Sequence, residues 1–455
     1  GHVGPARVHY TDIGDYLARD EKLARVSAAE RATRIEPVTQ ITPNEHGDWI
    51  HQRSSAFGAY LKISDKGAAD VIFGLQSGGF KSNRDAWSYN SSRTQLERHV
   101  RRLIAAYDAE RLRLKQDPTS DLTRDPRVMN WHYSLEADAR KGKWLEVNTS
   151  DFRRTIYRPF FGQYSYVDHS LGTPGLLSRL FPTAEHPNIG FYQVGSGSAV
   201  PFSVLILDAI PDLHVTGAGS GGQFFARWRY ERVAEDEGML AFGAADQDGE
   251  VVDGYRRIDN ITDHAFATFH TAYGDAISKD DIFSYCYGLL HSPDYRETYA
   301  ADLKKMLPRI PLVTDPWPFI TAGRALSDLH LGYETVTPYP LTGLDAPAYP
   351  AAGSDAAYRH FRVEKMTFAK VRDPETGKLV ADKTRIVYNS KITLGGIPEA
   401  AYRYMLGSRS AIEWIIDRYQ IKTDKASGIV NDPNDWSREV SDPRYIIDLL
   451  ARIVT

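Results

Sequence analysis

The stretch DIFSYCYGLLHSPDYRETYAADLKKMLPRIP, Asp281–Pro311, combines the clearest hydrophobic pattern of the chain with the clearest helix boundaries. Its first part, Ile282–Leu290, is apolar on most faces, as expected of a helix buried inside a domain. Ser292 suits the N-cap of a second helix, because its side-chain oxygen accepts a backbone N–H, and Pro293 suits the first helical position. The stretch therefore predicts a buried helical hairpin.

The second helix of this hairpin has one apolar stripe. Tyr295, Tyr299, Leu303 and Met306 follow one another at steps of four, four and three residues, which places them on one helix face. Pro308 is expected to end the helix, because proline has no backbone N–H to donate. The pattern predicts a piece of core and carries no chemistry by itself.

The composition is that of an ordinary globular protein. The 455 residues are 42% hydrophobic and 25% charged. A chain of this length predicts two or three domains or subdomains. The longest apolar run, Phe202–Ile210, contains Asp208 and is too short to span a bilayer, so we expect no membrane partner. No cationic leader with an apolar segment opens the chain. Cys286 is the only cysteine, which excludes an internal disulfide and multi-cysteine zinc sites and favours a reducing, cytoplasmic setting.

The charges are unevenly distributed along the chain, although the formal net charge is only −4. Basic residues concentrate in Arg93–Lys115, Arg140–Arg158 and Tyr358–Lys391, whereas Glu231–Asp253 is acidic. This asymmetry is compatible with a face that binds a polyanion, because binding depends on where charges lie rather than on their sum. Solvated faces of ordinary helices and strands are the alternative explanation of each cluster.

The order of the elements predicts a mixed α/β (α+β) fold, with a β-rich middle section, the buried helical hairpin and a helical C-terminal section. Ser92 and Gln95 form a capping box for a long helix, and Ser410 and Glu413 form another near the C-terminus. Between residues 144 and 255, short β-type runs are separated by glycine-rich turns.

Three later stretches complete this interpretation. Phe361–Lys370 and Arg385–Leu394 are predicted strands, and Pro398–Leu406 is predicted to be helical. Lys422–Pro433 is predicted to be a polar loop between two helices.

Motifs for self-contained catalysis are weak or missing. Gly217–Gly222 matches G-x-G-x-x-G, but the residues after it resemble a strand rather than the helix whose N-terminus would hold a phosphate. Asp208, Asp212 and His214 have the composition of a metal site, yet Pro211 makes this a turn, and structural turn residues are the preferred interpretation. We find no H-E-x-x-H, G-x-S-x-G or Walker motif. We therefore expect no cofactor, metal or catalytic site in this chain.

Three stretches carry more polar side chains than a turn needs. Lys81–Trp87 offers a guanidinium, an amide and a carboxylate, which are groups that bind phosphates and base edges. Arg153–Tyr164 interleaves arginine with aromatic residues. The third stretch is Lys422–Pro433. A capped, salt-bridged surface loop is the alternative interpretation of each, and residue types alone favour it.

Six blocks of the sequence together resemble a known family. They are DIGDYLARDEKL (12–23), SGGFKSNRDAWSYN (77–90), YRPFFGQYSYVDHS (157–170), IFSYCYGLLHSPDYRETYAADLKKMLPRIPL (282–312), LSDLHLGYETVTPYPL (326–341) and SAIEWIIDRYQIKTDKASGIVNDPNDW (410–436). In this order they resemble the C-terminal part of the single-polypeptide, ATP-dependent type ISP restriction-modification enzymes. In that family a nuclease, a helicase-like motor, an N6-adenine DNA methyltransferase and a target-recognition domain follow one another on one chain.

The resemblance implies a division of the chain. Residues 1–35 would be the C-terminal tail of an upstream methyltransferase-like domain, 36–125 a connecting α/β segment, and 126–455 the target-recognition region, with a subdivision near 330–355. The Asn-Pro-Pro-Tyr motif, a glycine motif for S-adenosylmethionine, Walker motifs and a nuclease signature are not found. The chain is therefore expected neither to methylate nor to cut by itself, and S-adenosylmethionine, ATP and Mg²⁺ would bind to other domains.

The resemblance implies sequence-specific recognition of double-stranded DNA in the bacterial cytoplasm, which would direct adenine-N6 methylation and cleavage by those domains. Upstream methyltransferase and helicase domains would be its protein partners. The residues expected to contact DNA are Lys81, Asn83, Arg84, Arg158, Tyr164, Lys422 and Lys425. One alternative is a scaffold that packs on the methyltransferase and helicase domains with little direct DNA contact. Another is a small-molecule enzyme that uses the Gly217–Gly222 loop.

Overall fold

The computed structural model describes residues 7–13, 18–29, 38–44, 47–50, 53–131, 133–217, 219, 221–233, 249–344 and 353–455. The chain divides into two units, Gly1–Phe57 and Gly58–Thr455. In the first unit, strands β1 (Val8–Tyr10) and β2 (Thr39–Ile41) pair antiparallel, and helix α1 spans Arg19–Ala28. Residues 14–17 of the first family block lie outside the described residues.

The second unit begins with small elements and one long helix. In chain order these are β3 (Leu61–Lys62), α2 (Asp85–Ser88), β4 (Tyr89–Asn90), α3 (Arg93–Gln116) and α4 (Tyr133–Arg140). The predicted cap of α3 is half formed. The Ser92 side chain accepts the backbone N–H of Gln95 at 3.3 Å, but Ser92 N donates to Asn90 Oδ1 at 2.9 Å. The Gln95 side chain instead accepts from Arg98 at 3.0 Å.

The β-rich middle section is confirmed. Its strands are β5 (Phe152–Arg158), β6 (Phe161–Tyr166), β7 (Gly190–Val194), β8 (Val204–Leu207), β9 (Ile210–Pro211), β10 (Gly222–Ala226), β11 (Trp228–Arg232), β12 (Val251–Val252) and β13 (Tyr255–Asp259). They form three sheets, in the orders β4-β6-β5-β9, β10-β7-β8 and β11-β13-β12. All neighbours are antiparallel except β5 and β9.

The Asp281–Pro311 stretch is largely helical, but its first helix packs on a different partner from the predicted one. The elements are α5 (Asp263–Tyr273), α6 (Lys279–His291), α7 (Pro293–Thr298), α8 (Ala300–Lys305), β14 (Arg309–Ile310) and α9 (Trp317–Leu331). Ser292 caps α7 as predicted, with its side chain accepting Tyr295 N at 3.4 Å. The prediction of one continuous second helix is wrong. Tyr299 has non-helical backbone angles, φ −108° and ψ 22°, and separates α7 from α8.

Helix α6 packs most extensively on α9 rather than on the segment that follows it in sequence. The contact is backbone to backbone. A Cβ added to Gly288 would overlap the carbonyl oxygen of Phe319, and one added to Gly323 would overlap that of Ser284. Two glycines on facing helices therefore permit a crossing that any side chain would prevent.

The C-terminal section mixes helices with short hairpins. Its elements are α10 (Asp355–Phe361), β15 (Thr367–Arg372), β16 (Leu379–Val387), β17 (Thr393–Gly395), β18 (Met405–Leu406), β19 (Arg409–Ser410), α11 (Ala411–Arg418), β20 (Lys422–Thr423), β21 (Val430–Asn431), α12 (Asn434–Glu439) and α13 (Tyr445–Val454). The Ser410–Glu413 capping box of α11 is confirmed in both directions.

Three local predictions in this section are wrong. Phe361 ends helix α10 and does not begin a strand. Pro398–Leu406 forms one 3₁₀ turn at Glu399–Tyr402 and then strand β18. The predicted loop at Lys422–Pro433 is the β20–β21 hairpin. In the last two segments, which are short, pairing with neighbouring chain outweighs the local preference.

The C-terminal helices share one core with the middle strands. Tyr419, just after α11, lies against Phe161 of β6 with ring centroids 4.8 Å apart, and its hydroxyl donates to the carbonyl of Phe160 at 3.2 Å. This packing holds the end of α11 and the β20–β21 hairpin beside the β5–β6 hairpin. The mixed α/β class is confirmed.

Candidate nucleic-acid interface

The three polar stretches of the sequence meet at one cleft of about 300 Å³. Asp85 lies on its first wall, Tyr157 and Gln163 on its second, and Arg418, Lys422 and Asn431 on its third. We call this site the three-segment cleft. Its walls come from distant parts of the sequence, so only the tertiary fold assembles them.

The first wall is a loop whose backbone is pinned to the strand beside it. Phe80 N donates to the Pro211 carbonyl at 2.8 Å, and Leu213 N donates to the Phe80 carbonyl at 2.9 Å. A Cβ on Gly79 would overlap the carbonyl of Asp212, so glycine is required at this approach. Asn83 then adopts φ +55°, a conformation that asparagine tolerates better than most residues. This turn leaves Asn83 exposed.

Arg84, the next residue, is buried without a carboxylate partner. Its side chain is 3% exposed, and Nε and Nη1 have no hydrogen-bond partner among the residues that the structure describes. Burial lowers the pKa of its guanidinium to about 10. A buried cation that lacks a counter-ion is costly, and its free N–H groups suit an anionic ligand. Its neighbour Asp85 accepts from the hydroxyl of Ser82 and from that of Tyr157 at 2.9 Å.

A buried ion pair forms the floor of the second wall. Arg158 Nη1 donates to Asp212 Oδ1 at 2.8 Å, and Tyr89 donates its hydroxyl to Asp212 Oδ2 at 2.9 Å. Arg158 also lies over the Tyr157 ring, 4.0 Å from its centroid. Burial raises the pKa of Asp212 above its ordinary value, and the charge of Arg158 opposes that rise. Arg158 therefore holds the hairpin and its aromatic side chain in place.

The β20–β21 hairpin of the third wall has a tightly bonded turn. Asp424 accepts from the backbone N–H of Ser427 at 2.7 Å and from its hydroxyl at 2.6 Å, which lowers the pKa of Asp424. Gly428 closes the turn at φ +72°. Lys425 is exposed within this turn and Lys422 at its base. The hairpin thus presents two cations on a fixed frame.

The seven residues predicted to contact DNA take different positions. Lys81, Asn83, Lys422 and Lys425 are exposed, whereas Arg84 and Arg158 are buried. Tyr164 is half-buried, with its ring 5.5 Å from that of Trp436. Of the seven, Lys422 lines the cleft directly. Four others each adjoin a lining residue in sequence: Arg84, Arg158, Tyr164 and Lys425.

The sequence analysis did not single out several residues of this site. Arg418 lies at the end of α11, where its guanidinium pairs with Asp417 and its Nε is buried without a partner among the described residues. Gln163 donates to the Ser91 hydroxyl at 3.2 Å and leaves its Oε1 without one. Asp212 is predicted from the sequence to be a structural turn residue. Arg418 and Gln163 lie inside the family blocks, which is the available signal for them, whereas Asp212 lies outside every block and residue type alone does not distinguish it.

Other candidate sites lack the geometry they need. Within the described residues, no group of three or more His, Cys, Asp or Glu side chains is arranged to hold a metal. The Gly217–Gly222 loop leads into strand β10 rather than a helix, although residues 218 and 220 lie outside the description. Cys286 is buried, which raises the pKa of its thiol and disfavours a reactive thiolate. No helix in the described ranges has the length and hydropathy to cross a bilayer.

Comparison with solved structures places this fold among DNA-bound enzymes. The chain is 34% identical to the Type ISP restriction-modification enzyme LlaGI, solved without its nuclease in complex with a DNA substrate mimic, with a TM-score of 0.78 over 100% of this chain. It is 29% identical to the ATP-dependent Type ISP enzyme LlaBIII bound to DNA (TM-score 0.77, 100% covered) and 27% identical to DrdV in a DNA complex (0.74, 98%). The chain spans 38%, 27% and 42% of those three chains.

A search among curated proteins finds no match. The family described as the Type ISP C-terminal specificity domain matches residues 71–449, which include every wall of the three-segment cleft. Because this match extends over most of the sequence, the chain belongs to the Type ISP C-terminal specificity domain family.

Proposed function

We propose that this chain is the sequence-specific double-stranded DNA recognition module of a Type ISP restriction-modification enzyme. The observation that carries the proposal is the three-segment cleft. It is lined by the exposed Lys422 and by Arg418, whose Nε has no partner among the described residues, and the buried Arg84 adjoins the lining residue Asp85 in sequence. Buried, unpaired donors are costly in a free protein but favourable opposite phosphate or a base edge. The DNA complexes of LlaGI and LlaBIII support the same ligand.

The side chains suggest separate roles at this surface. Lys81, Lys422 and Lys425 would bind phosphates, because exposed ammonium groups act as point charges. The exposed amide of Asn83 suits the edge of an adenine in the major groove. Arg158 would position the β5–β6 hairpin rather than contact DNA, since its charge is paired with that of Asp212. Tyr164, beside Trp436, would support the surface from below.

The module would direct adenine-N6 methylation and cleavage performed by other domains of the parent enzyme. Those methyltransferase and helicase domains would be its protein partners, and S-adenosylmethionine, ATP and Mg²⁺ would bind to them, in the bacterial cytoplasm. Residues 1–35 would be the tail of the methyltransferase-like domain, 36–125 the connecting segment and 126–455 the target-recognition region. The first compact unit extends beyond residue 35, to Phe57.

Salt-dependent binding tests the proposal. Fluorescence anisotropy with a long mixed-sequence duplex should show affinity that falls steeply with salt, because each phosphate contact releases counterions. The K422A/K425A double variant should weaken binding and reduce the slope of log K against log salt by about 2, at about 0.9 per phosphate contact. The K115A/K141A variant removes the same charge from exposed positions elsewhere and should retain the wild-type slope. Absence of binding, or binding that ignores salt, would overturn the proposal.

The scaffold alternative predicts a different result for Arg84. Arg84→Met keeps an apolar stem in the buried site and removes the unpaired charge, so the folded protein should melt at an unchanged or higher temperature. DNA affinity should nevertheless fall about tenfold or more, since a charged hydrogen bond is worth about 1.5–3 kcal/mol. A scaffold with little DNA contact would lose no affinity.

A further inference from the structure

The β15–β16 hairpin is exposed to an unusual degree. Its register pairs Lys370 with Ala381, Val371 with Val380, and Arg372 with Leu379. From 370 to 381, every residue except Asp373 is exposed, and the side chains of Leu379, Val371 and Val380 are 61%, 49% and 41% exposed. We call residues 369–382 the ribbon arm. A two-stranded ribbon that packs on neither face is only marginally stable by itself, so its presence in the fold calls for a functional explanation.

The tip of the ribbon arm is nevertheless well ordered by hydrogen bonds. Asp373 accepts from the backbone N–H groups of Glu375 and Thr376 at 3.1 and 2.7 Å, and from the Thr376 hydroxyl at 2.8 Å. Gly377 takes φ +67°, and Arg372 donates to its carbonyl at 2.8 Å. The hydrogen bonds from Thr376 lower the pKa of Asp373. The tip of the arm therefore needs no further ordering when it binds a partner.

The base of the arm is fixed to the core. Ile386 and Tyr388 are fully buried, and β16 continues into a pairing with β17. Lys383 forms an ion pair with Glu413 of α11 at 3.1 Å, and Tyr402 donates its hydroxyl to the Lys383 carbonyl at 2.6 Å. The base of the arm is thus attached to the helix that ends at Arg418.

The two faces of the arm differ in chemistry. Directly paired residues share a face, so Lys370 and Arg372 lie together on one face, and Val371 and Val380 on the other. Among the residues that the structure describes, Lys370, Arg372 and Lys378 enter no ion pair, whereas the carboxylate of Asp373 is occupied by its own turn. The same alternation places Leu379 on the face of Lys370 and Arg372, and Lys378 on the face of Val371 and Val380. The cationic face of the arm therefore consists of Lys370 and Arg372 beside the exposed Leu379.

We propose that the cationic face of the ribbon arm binds the phosphate backbone of duplex DNA, as a contact separate from the three-segment cleft. This inference rests on the proposed function. Charge complementarity selects the occupant, because Lys370 and Arg372 have no ion-pair partner among the described residues and a polyanion supplies one. A two-stranded ribbon also has the width that the major groove of B-DNA, about 12 Å across, admits.

Charge removal on the arm tests this contact. In K370A/R372A, anisotropy with the long mixed-sequence duplex should show a salt slope reduced by about 2 and affinity weakened about tenfold or more at low salt. The matched control K115A/K141A removes two exposed positive charges that enter no described ion pair, and it should bind like the wild type. Both variants should melt like the wild type, because all four side chains are exposed.

Limited proteolysis supplies a second measurement. Trypsin should cleave the free protein after Lys370, Arg372 or Lys378, and a saturating amount of the same duplex should slow this cleavage severalfold. Unchanged cleavage, or a wild-type salt slope in the arm variant while K422A/K425A weakens binding, overturns the ribbon contact and leaves the proposed function standing. Loss of all duplex binding by the wild-type protein overturns both.

Discussion

Two buried regions of the second unit achieve close packing in opposite ways. At the crossing of α6 and α9, Gly288 and Gly323 remove side chains so that backbones meet. Beneath the three-segment cleft, Arg158 and Asp212 bring full charges into a site where they are 7% and 3% exposed. The first solution needs no compensation, whereas the second holds only while each charge keeps its partner.

The difference indicates what each region is for. At the helix crossing the two backbones meet directly at Gly288 and Gly323, and this close packing contributes stability. A charged floor is a weak source of stability, because the cost of desolvation offsets the attraction between the ions. Its value lies in fixing Tyr89, Tyr157 and the β5–β6 hairpin around a polar cleft.

The largest effect is expected from breaking the charged floor. Asp212→Ala would leave Arg158 buried and unpaired, and we expect the free energy of unfolding to fall by about 3–5 kcal/mol. Urea denaturation followed by circular dichroism measures this loss. Asp208→Ala, which changes a nearby exposed carboxylate, should shift the unfolding free energy by less than about 0.5 kcal/mol. Equal losses of unfolding free energy in the two variants would show that the buried Asp212 contributes no more to stability than the exposed Asp208.

A pH dependence should come from the helix pair. His291 ends α6 and His330 lies in the last turn of α9, and burial lowers their pKa values to about 3 and about 4, with Arg296 adding to the effect at His291. The Tyr287 hydroxyl oxygen accepts the backbone N–H of Ile206 at 3.0 Å. The same hydroxyl can donate its proton to His330 Nδ1, 2.7 Å away.

The sign follows from these lowered values. Above pH 6.5 both histidines are neutral whether the chain is folded or unfolded, so their effect on stability is absent. Below pH 6.5 the two histidines bind protons in the unfolded chain but stay neutral in the folded protein. Stability therefore falls as the pH decreases, until the folded pKa values are reached. Urea unfolding between pH 6.5 and 5 should therefore show a slope that His330→Asn reduces by about 1 kcal/mol per pH unit. An unchanged slope would mean that His330 is protonated in the fold.

A smaller loss than at the charged floor is expected at the helix crossing itself. Gly323→Ala should lower the unfolding free energy by about 1–3 kcal/mol, the usual cost of overpacking, although alanine is the better helix former. Gly58→Ala is the matched control, because a Cβ there meets nothing within 4 Å and its φ is not positive. The control should be neutral or slightly stabilising. A stabilising Gly323→Ala would show that the helices can separate without loss.

The sequence predicts helices better than it predicts the site. Caps and apolar stripes are local signals, so α3, α6 and α11 were found from residues within a few positions of each other. The break at Tyr299 and the partnership of α6 with α9 depend on packing over longer distances, which periodicity does not carry. The two glycines at the crossing were visible in the sequence, but nothing local indicates that they face each other.

The cleft illustrates the same limit. Each of its three polar stretches was recognised, yet none showed that it would meet the others. Asp212 was assigned to a turn because its partner Arg158 is far away in sequence. Whether a polar residue is exposed or buried also depends on the tertiary fold, so Arg84 and Lys81 appeared equivalent before the structure separated them.

The hydrogen bonds that hold the β20–β21 hairpin have a consequence for the order of folding. Asn90 donates to the Val430 carbonyl at 3.3 Å, and Ser91 N donates to Asn431 Oδ1 at 3.0 Å, each across 340 positions of sequence. During translation the first and second walls leave the ribosome long before the third exists. The first wall can therefore form these hydrogen bonds only after the last segment has been synthesised, so the cleft is completed late in folding.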